Sequence, residues 1–260
     1  MHQSPVLYVV IGCITGTLTG FTGVSGMSVL VSLLLLSGMP VREVIALTFA
    51  VTMVNSGIAA VPYGRRGNIP KLPALLMAGA TAGAVIPGYF TSHSISSGVL
   101  GWCITTGILF VGVKFTFFDR QKPPRENGAE SRFPVWVVVI PGAVVGYIIG
   151  ILGGGGGIFI TLLLVMIMRY PAHKALGISL VVMCAAALPG CLLYAKDGLL
   201  PAGTALFIIL PSMLCSFISA RCANRVSERG IKRVLGIYLL LVSILLTLKN
   251  LHLLPGVIPR

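Results

Sequence analysis

The sequence predicts an all-α integral membrane fold of two inverted-topology repeats, each a glycine-broken helical hairpin followed by three transmembrane helices. Three observations predict it. Long blocks of the chain carry no charge. The same glycine pattern occurs twice, 130 residues apart. Lys and Arg segregate to one side only if the first block of each copy turns back on itself.

Hydrophobic residues make up 56% of the 260 positions and charged residues 10%. A soluble domain carries about a quarter charged residues, so most of this exterior must face lipid. Uncharged stretches run from Ser4 to Val41, Leu72 to Val113 (apart from His93), Phe133 to Met168 and Gly198 to Ala220. A span needs roughly 20 apolar residues. The net charge of +13 lies between the apolar blocks, where it orients a membrane chain, and nucleic acid is not an expected partner. No basic stretch precedes the first block, so a cleaved signal is not expected. The six cysteines lie in or beside apolar blocks without a Cys-x-x-Cys pair and read as small packing residues.

Gly12, Gly16, Gly20, Gly23 and Gly26 follow spacings of 4, 4, 3 and 3, and Gly142, Gly146, Gly150, Gly153 and Gly156 repeat them. Helix packing accounts for the fours, but not for a switch to threes at the same point in both copies. After one inserted residue the offset becomes 131. Pro40 then pairs with Pro171, Thr48 with Ser179, Tyr63 with Tyr194, Gly67 with Gly198, and Pro70 with Pro201. The chain divides into a first repeat over 1–118, a cytoplasmic linker over 119–133 and a second repeat over 134–260.

Each repeat shows four apolar blocks, about 5–38, 43–63, 71–91 and 95–118, then 134–168, 174–195, 201–221 and 231–249. The first block of each is about 34 residues, or about 50 Å of helix against about 30 Å of hydrocarbon. Gly153 to Gly157 disfavour continuous helix, so each long block is expected to break into a hairpin. If every block crosses once, Lys and Arg divide 11 to 8; with the hairpins they divide 15 to 4. That bias places the linker in the cytoplasm and both termini outside, and it inverts the second repeat relative to the first. Inverted repeats around broken helices are the pattern of secondary transporters, with the site near mid-membrane beside the breaks.

A helix that starts at a break presents backbone N–H groups without partners and a partial positive charge. Two such starts could converge on an anion. The candidate substrate-binding groups are Thr22, Gly23, Ser25, Gly26 and Ser28 in the first repeat. In the second they are Gly153, Gly154, Gly155, Gly156 and Gly157, with Thr161 one turn on. Thr48 and its mate Ser179 are added, with Thr52 and Asn55 on the same helix face as Thr48. The competing reading is tight packing for the glycines and bonds to their own helix carbonyls for the hydroxyls. Asn55 reads equally as a site residue or an interhelical bond. Tyr63 and Tyr194, at block ends, read as interfacial anchors.

The absences narrow the chemistry. Glu43, Asp119, Glu126, Glu130, Asp197 and Glu228 are the only acidic residues, and none falls mid-span. A cation substrate is therefore disfavoured. For proton coupling only Glu43, Asp197, His93 and His173 are at hand. The histidines lack metal-ligand spacing, no Walker loop appears, and no nucleophile–base set argues for an enzyme. No cofactor or metal is expected.

Gly142-x3-Gly146-x3-Gly150-Ile-Leu-Gly153-Gly-Gly-Gly-Gly157, its copy Gly12-x3-Gly16-x3-Gly20-Phe-Thr-Gly23-Val-Ser-Gly26, and Ala-Leu-Gly-Ile-Ser at Ala175–Ser179 resemble the TauE/SafE sulfite exporter family over nearly the whole chain. The resemblance implies an inner-membrane transporter that moves sulfur-containing anions, such as sulfite or organosulfonates like sulfoacetate, outward. Where members carry a proline after each glycine cluster, this chain has Val31–Ser32 and Thr161–Leu162. Alternatives are import of a related anion such as thiosulfate, or a membrane scaffold that transports nothing. Beyond membrane lipid and the anion, a homodimer is compatible with the sequence.

Overall fold

The computed structural model describes residues 5–22, 30, 31, 33, 34, 37–96, 99, 106, 134–153 and 156–223. Among them there is helix and no strand. The helices are α1 (Pro5–Thr22), α2 (Val41–Arg65), α3 (Lys71–Ser94), α4 (Val135–Leu152), α5 (Gly156–Leu162), α6 (Ala172–Lys196) and α7 (Ala202–Ala223). A π-helical turn, Leu163–Ile167, continues α5. Four of these helices (α2, α3, α6 and α7) are long and apolar enough to cross a membrane. The blocks expected over 95–118 and 231–249 fall almost wholly outside the described residues.

Prolines mark the starts. Pro40, Pro70, Pro134 and Pro171 stand immediately before α2, α3, α4 and α6 with extended backbone. Their own carbonyls accept the first helical bonds, as Pro40 does from Val44 at 3.0 Å and Pro171 from Ala175 at 3.0 Å. A proline is tolerated at a helix start because the N–H it lacks would have no partner there. The repeat also matches in backbone conformation. Gly67 and Gly198, at φ +69° and +70°, close α2 and α6 in the left-handed region. Gly38 has φ +81°, and its repeat mate Arg169 takes the same hand at φ 53° without being glycine.

The second long block breaks where the glycines predict. Gly153 ends α4 at φ +81°, its N–H on the carbonyl of Ile149, and helix resumes at Gly156. A Cβ on Gly156 would overlap the side chain of Ile149, so α5 folds back against α4. In the first repeat α1 ends at Thr22 and residues 30, 31, 33 and 34 are helical. The break expected there falls within 23–29, outside the described residues.

Packing is crossed between the halves. The first helix of each half lies on the helix of the third apolar block of the other: α1 on α7, and α4 on α3. The central pair is α2 against α6, flanked by α3 on α6 and α7 on α2. Exchanging the halves maps these contacts onto themselves. It does so residue by residue. A Cβ on Gly16 would overlap the carbonyl of Ser212, and one on Gly146 the carbonyl of Thr81, the repeat mate of Ser212. Gly20 and Gly150 likewise abut Ser216 and Val85, also mates.

Contact register gives the directions. Gly12, Gly16 and Gly20 meet Ile208, Ser212 and Ser216 in order, so α1 and α7 are parallel; α4 and α3 are parallel by the same reading. The mates α2 and α6 are antiparallel: Phe49 lies by Gly190 and stacks on Tyr194 at 5.7 Å, while Gly57 lies by Cys184. The largest apolar core, with Phe49, Met77, Ile160 and Met183, fills the space where α2, α3, α4, α5 and α6 meet. Exposed apolar side chains such as Leu75, Phe90, Trp136, Leu192 and Leu214 coat the outside, as lipid requires.

Candidate functional site

The antiparallel mates α2 and α6 bring the break of the second half to the middle of the first. Thr48 on α2 is fully buried, and its Oγ1 reaches the carbonyl of Ile45 at 2.7 Å and that of Gly153 at 2.9 Å. One hydroxyl proton thus serves its own helix and the break. The reading of Thr48 as a hydroxyl bonded to its own helix carbonyl holds, and the bond to the break is added to it. A Cβ on Gly153 would strike the Ile45 side chain, so the αL residue that ends α4 must be glycine for shape as well as for φ. Beside it is a narrow recess lined by Phe49, Thr52, Ile149, Gly156, Met183 and Ala186. Thr48, Thr52, Gly153 and Gly156 are thus brought together.

Gly157 and Thr161 belong to this neighbourhood, whereas Ser179, between Leu176 and Leu180, packs toward the other end of α2, near Tyr63. Gly157 opens α5 beside Gly156 and is buried. Thr161 is 2% exposed and its Oγ1 has no hydrogen-bond partner among the described residues. An unpaired buried hydroxyl costs about 1–3 kcal/mol, which a polar ligand or water would relieve. Ser179 is buried on α6 and bonds the carbonyl of Leu176 at 2.9 Å. Thr22 closes α1. Gly23, Ser25, Gly26, Ser28, Gly154 and Gly155 lie outside the described residues.

Asn55 resolves as an interhelical bond. Ser212 Oγ on α7 donates to its side-chain Oδ1 at 2.9 Å, and Ser216 Oγ donates to its main-chain carbonyl at 3.0 Å. Asn55 is 1% exposed and ties α2 to α7 of the other half. On the opposite side of the symmetry, Thr81 Oγ1 reaches the carbonyls of Met77 and Gly142, at 2.7 and 3.1 Å. The sequence reading missed Ser212, Ser216 and Thr81. Their signal was available, since 81 and 212 are repeat mates that both carry hydroxyls.

The anchoring role for Tyr63 and Tyr194 is a correction. They are 0% and 2% exposed. Tyr63 donates toward the carbonyl of Gly20 at 3.5 Å, and the Tyr194 hydroxyl meets Ser92 Oγ at 3.2 Å. Crossed packing covers the block ends with helices of the other half, so these rings meet protein where lipid was expected. The packing reading of Gly12, Gly16, Gly142 and Gly146 holds, as the close approaches above require.

Among the described residues no group of three or more His, Cys, Asp or Glu could hold a metal. The described cysteines are free. Of the described carboxylates, Glu43 and Asp197 stand at helix ends, and the recess beside Gly153 is lined by none.

Neither curated proteins nor solved structures gave a match to this chain. A family model did, and it spans the helices, the crossed pairs and the break described above. Residues 8–246 match the family described as Sulfite exporter TauE/SafE, and this multi-pass membrane chain belongs to that family of transporters.

Proposed function

We propose that the protein is a secondary transporter that carries sulfur-containing anions, sulfite or organosulfonates such as sulfoacetate, outward across the inner membrane. The observation that carries this reading is the Thr48–Gly153 bond at 2.9 Å, which joins the middle of one half to the helix break of the other. Thr48 holds the carbonyl of the break, and the N–H groups at the start of α5 follow directly at Gly156 and Gly157. Such groups lack intrahelical partners and favour negative charge. Thr161 adds a buried hydroxyl with no partner among the described residues. With no carboxylate in the recess, nothing there repels an oxyanion. The site in this reading also includes Gly154 and Gly155; by the repeat, an equivalent site toward the other end of α2 holds Thr22, Gly23, Ser25, Gly26 and Ser28, with Ser179 in the place of Thr48.

The halves are read as inverted repeats, the first over 1–118 and the second over 134–260, with 119–133 in the cytoplasm and both termini outside. The antiparallel run of the mates α2 and α6 supports this, as does the 15-to-4 division of Lys and Arg. The chemistry of transport needs no catalytic residue or cofactor.

Binding tests the reading. Purified protein should bind sulfite, sulfoacetate or thiosulfate, and binding should fall at least tenfold in Gly155→Leu, Ser25→Leu and Thr48→Val. Tightest binding to thiosulfate would favour import of that anion over export of sulfite. Failure to bind any sulfur oxyanion would overturn the proposal, and a scaffold role would then be the better account.

A further inference from the structure

At one end of the bundle, where α2 starts and α3 and α6 finish, a polar cluster joins the halves. Tyr89 on α3 donates its hydroxyl to Asp197 Oδ2, and His93 Nε2, one turn on, lies 3.5 Å from the same oxygen. Tyr89 packs edge-on against His93 at 4.7 Å and against Tyr194 at 5.0 Å. Tyr194 in turn meets Ser92. The side chains of His93 and Asp197 are 36% and 32% exposed, so water reaches both while most of each is covered.

We infer that Tyr89, His93 and Asp197 form a proton-binding latch that closes this end of the bundle between the two halves. The contact is cross-half: Tyr89 and His93 come from the first, Asp197 from the second. Its ionic part needs His93 charged and Asp197 ionised. His93 Nε2 takes that proton from water and returns it to water. Loss of that proton removes the charge on His93 and with it the attraction to Asp197. A proton gained by Asp197 removes the attraction from the other side. The latch is therefore closed by one proton on His93 and none on Asp197, and loss of the His93 proton loosens it.

Other polar and charged groups flank the pair. From α2, Arg42 lies within electrostatic reach of the hydroxyls of Tyr89 and Tyr194. From α6 the facing groups are Tyr194 and Asp197, with Lys196 beside them in sequence. From α4, Tyr147 is bonded to Thr91 on α3, at 3.1 Å. The other described histidine, His173, starts α6 and so stands at its opposite end. The cluster lies at the end that the Lys and Arg count places outside. Opening of that end during transport rests on the transporter reading above; the response of the contact to pH does not.

The test uses the full-length chain in lipid nanodiscs, with spin labels at Ser94→Cys and Ala195→Cys and the native cysteines replaced. Dipolar coupling reads the separation of the ends of α3 and α6. One close population is expected at about pH 5.5, joined by a longer one at about pH 8. Asp197→Asn and His93→Gln should each remove the response, and His93→Lys, charged at both values, should keep the close population throughout. The thermal midpoint of the chain with its cysteines intact provides a second reading. It should fall between the same two pH values, and the fall should vanish in Asp197→Asn. A pH response that survives in both Asp197→Asn and His93→Gln, or its absence from the native chain, would overturn the latch. Proteoliposomes loaded with sulfoacetate separate the two claims. A working latch without transport would defeat the transporter reading alone.

Discussion

Gly146 on α4 lies so close to the main chain of Thr81 on α3 that a Cβ there would overlap the Thr81 carbonyl. Its repeat mate Gly16 stands in the same relation to Ser212. Both pairs lie across the halves, and both obstacles are backbone, which cannot step aside as a flexible side chain can. Gly146→Ala and Gly16→Ala should therefore each destabilise by about 1–3 kcal/mol, the usual range for overpacking. Gly79 and Gly203 have open space where a Cβ would go. Gly79→Ala should be neutral or stabilise by up to about 1 kcal/mol through helix propensity. Thermal midpoints in detergent compare the set.

The parallel pairing of α1 with α7 has a chemical reporter. The thiols of Cys13 and Cys215 meet across it. Mild oxidation with copper phenanthroline should join Cys13 to Cys215 within one chain. Peptide mapping by mass spectrometry would identify the linked pair, and Cys13→Ser should abolish it. Preferential linkage of Cys13 to any other cysteine would contradict the crossed packing.

Asn55 and Ser212 should couple. Asn55→Ala removes the acceptor of Ser212 Oγ, and Ser212→Ala removes its donor. A double-mutant cycle should return about 0.6–1.7 kcal/mol, the span measured for interhelical bonds in membranes. A coupling indistinguishable from zero would mean that Asn55 acts elsewhere.

Topology follows from the charge count and the broken hairpins. Reporter fusions after Arg260 and within 119–133 should fall on opposite sides of the membrane, the carboxy-terminal one outside. A cytoplasmic carboxy terminus would contradict the hairpin arrangement.

Much of this architecture was legible in particular residues. The glycine spacing foretold both the close helix approaches and the break at Gly153. Pro40, Pro70 and Pro171, read only as repeat mates, stand at the starts of α2, α3 and α6, and Gly67 and Gly198 in the turns that follow α2 and α6. The repeat offset carried each feature from one half to the other. The partners of each helix were not legible. A helix apolar on every face gives no stripe that says which side meets protein, so the exchange of α1 and α4 between halves was hidden. The burial of Tyr63 and Tyr194 was hidden with it. His93 and Asp197 were legible only as polar residues at span ends, because the contact between them depends on α3 running parallel to α6. Thr48 was legible through its mate Ser179, but its bond to Gly153 requires the antiparallel crossing of α2 and α6.

Transport itself tests the central claim most directly. Proteoliposomes of the purified chain, loaded with labelled sulfite or sulfoacetate, should release it faster than empty-membrane controls. Thr48→Val and Gly155→Leu should slow release at least tenfold, while Gly79→Ala keeps the native rate. Release no faster than from protein-free vesicles for sulfite, sulfoacetate and thiosulfate alike would contradict the account.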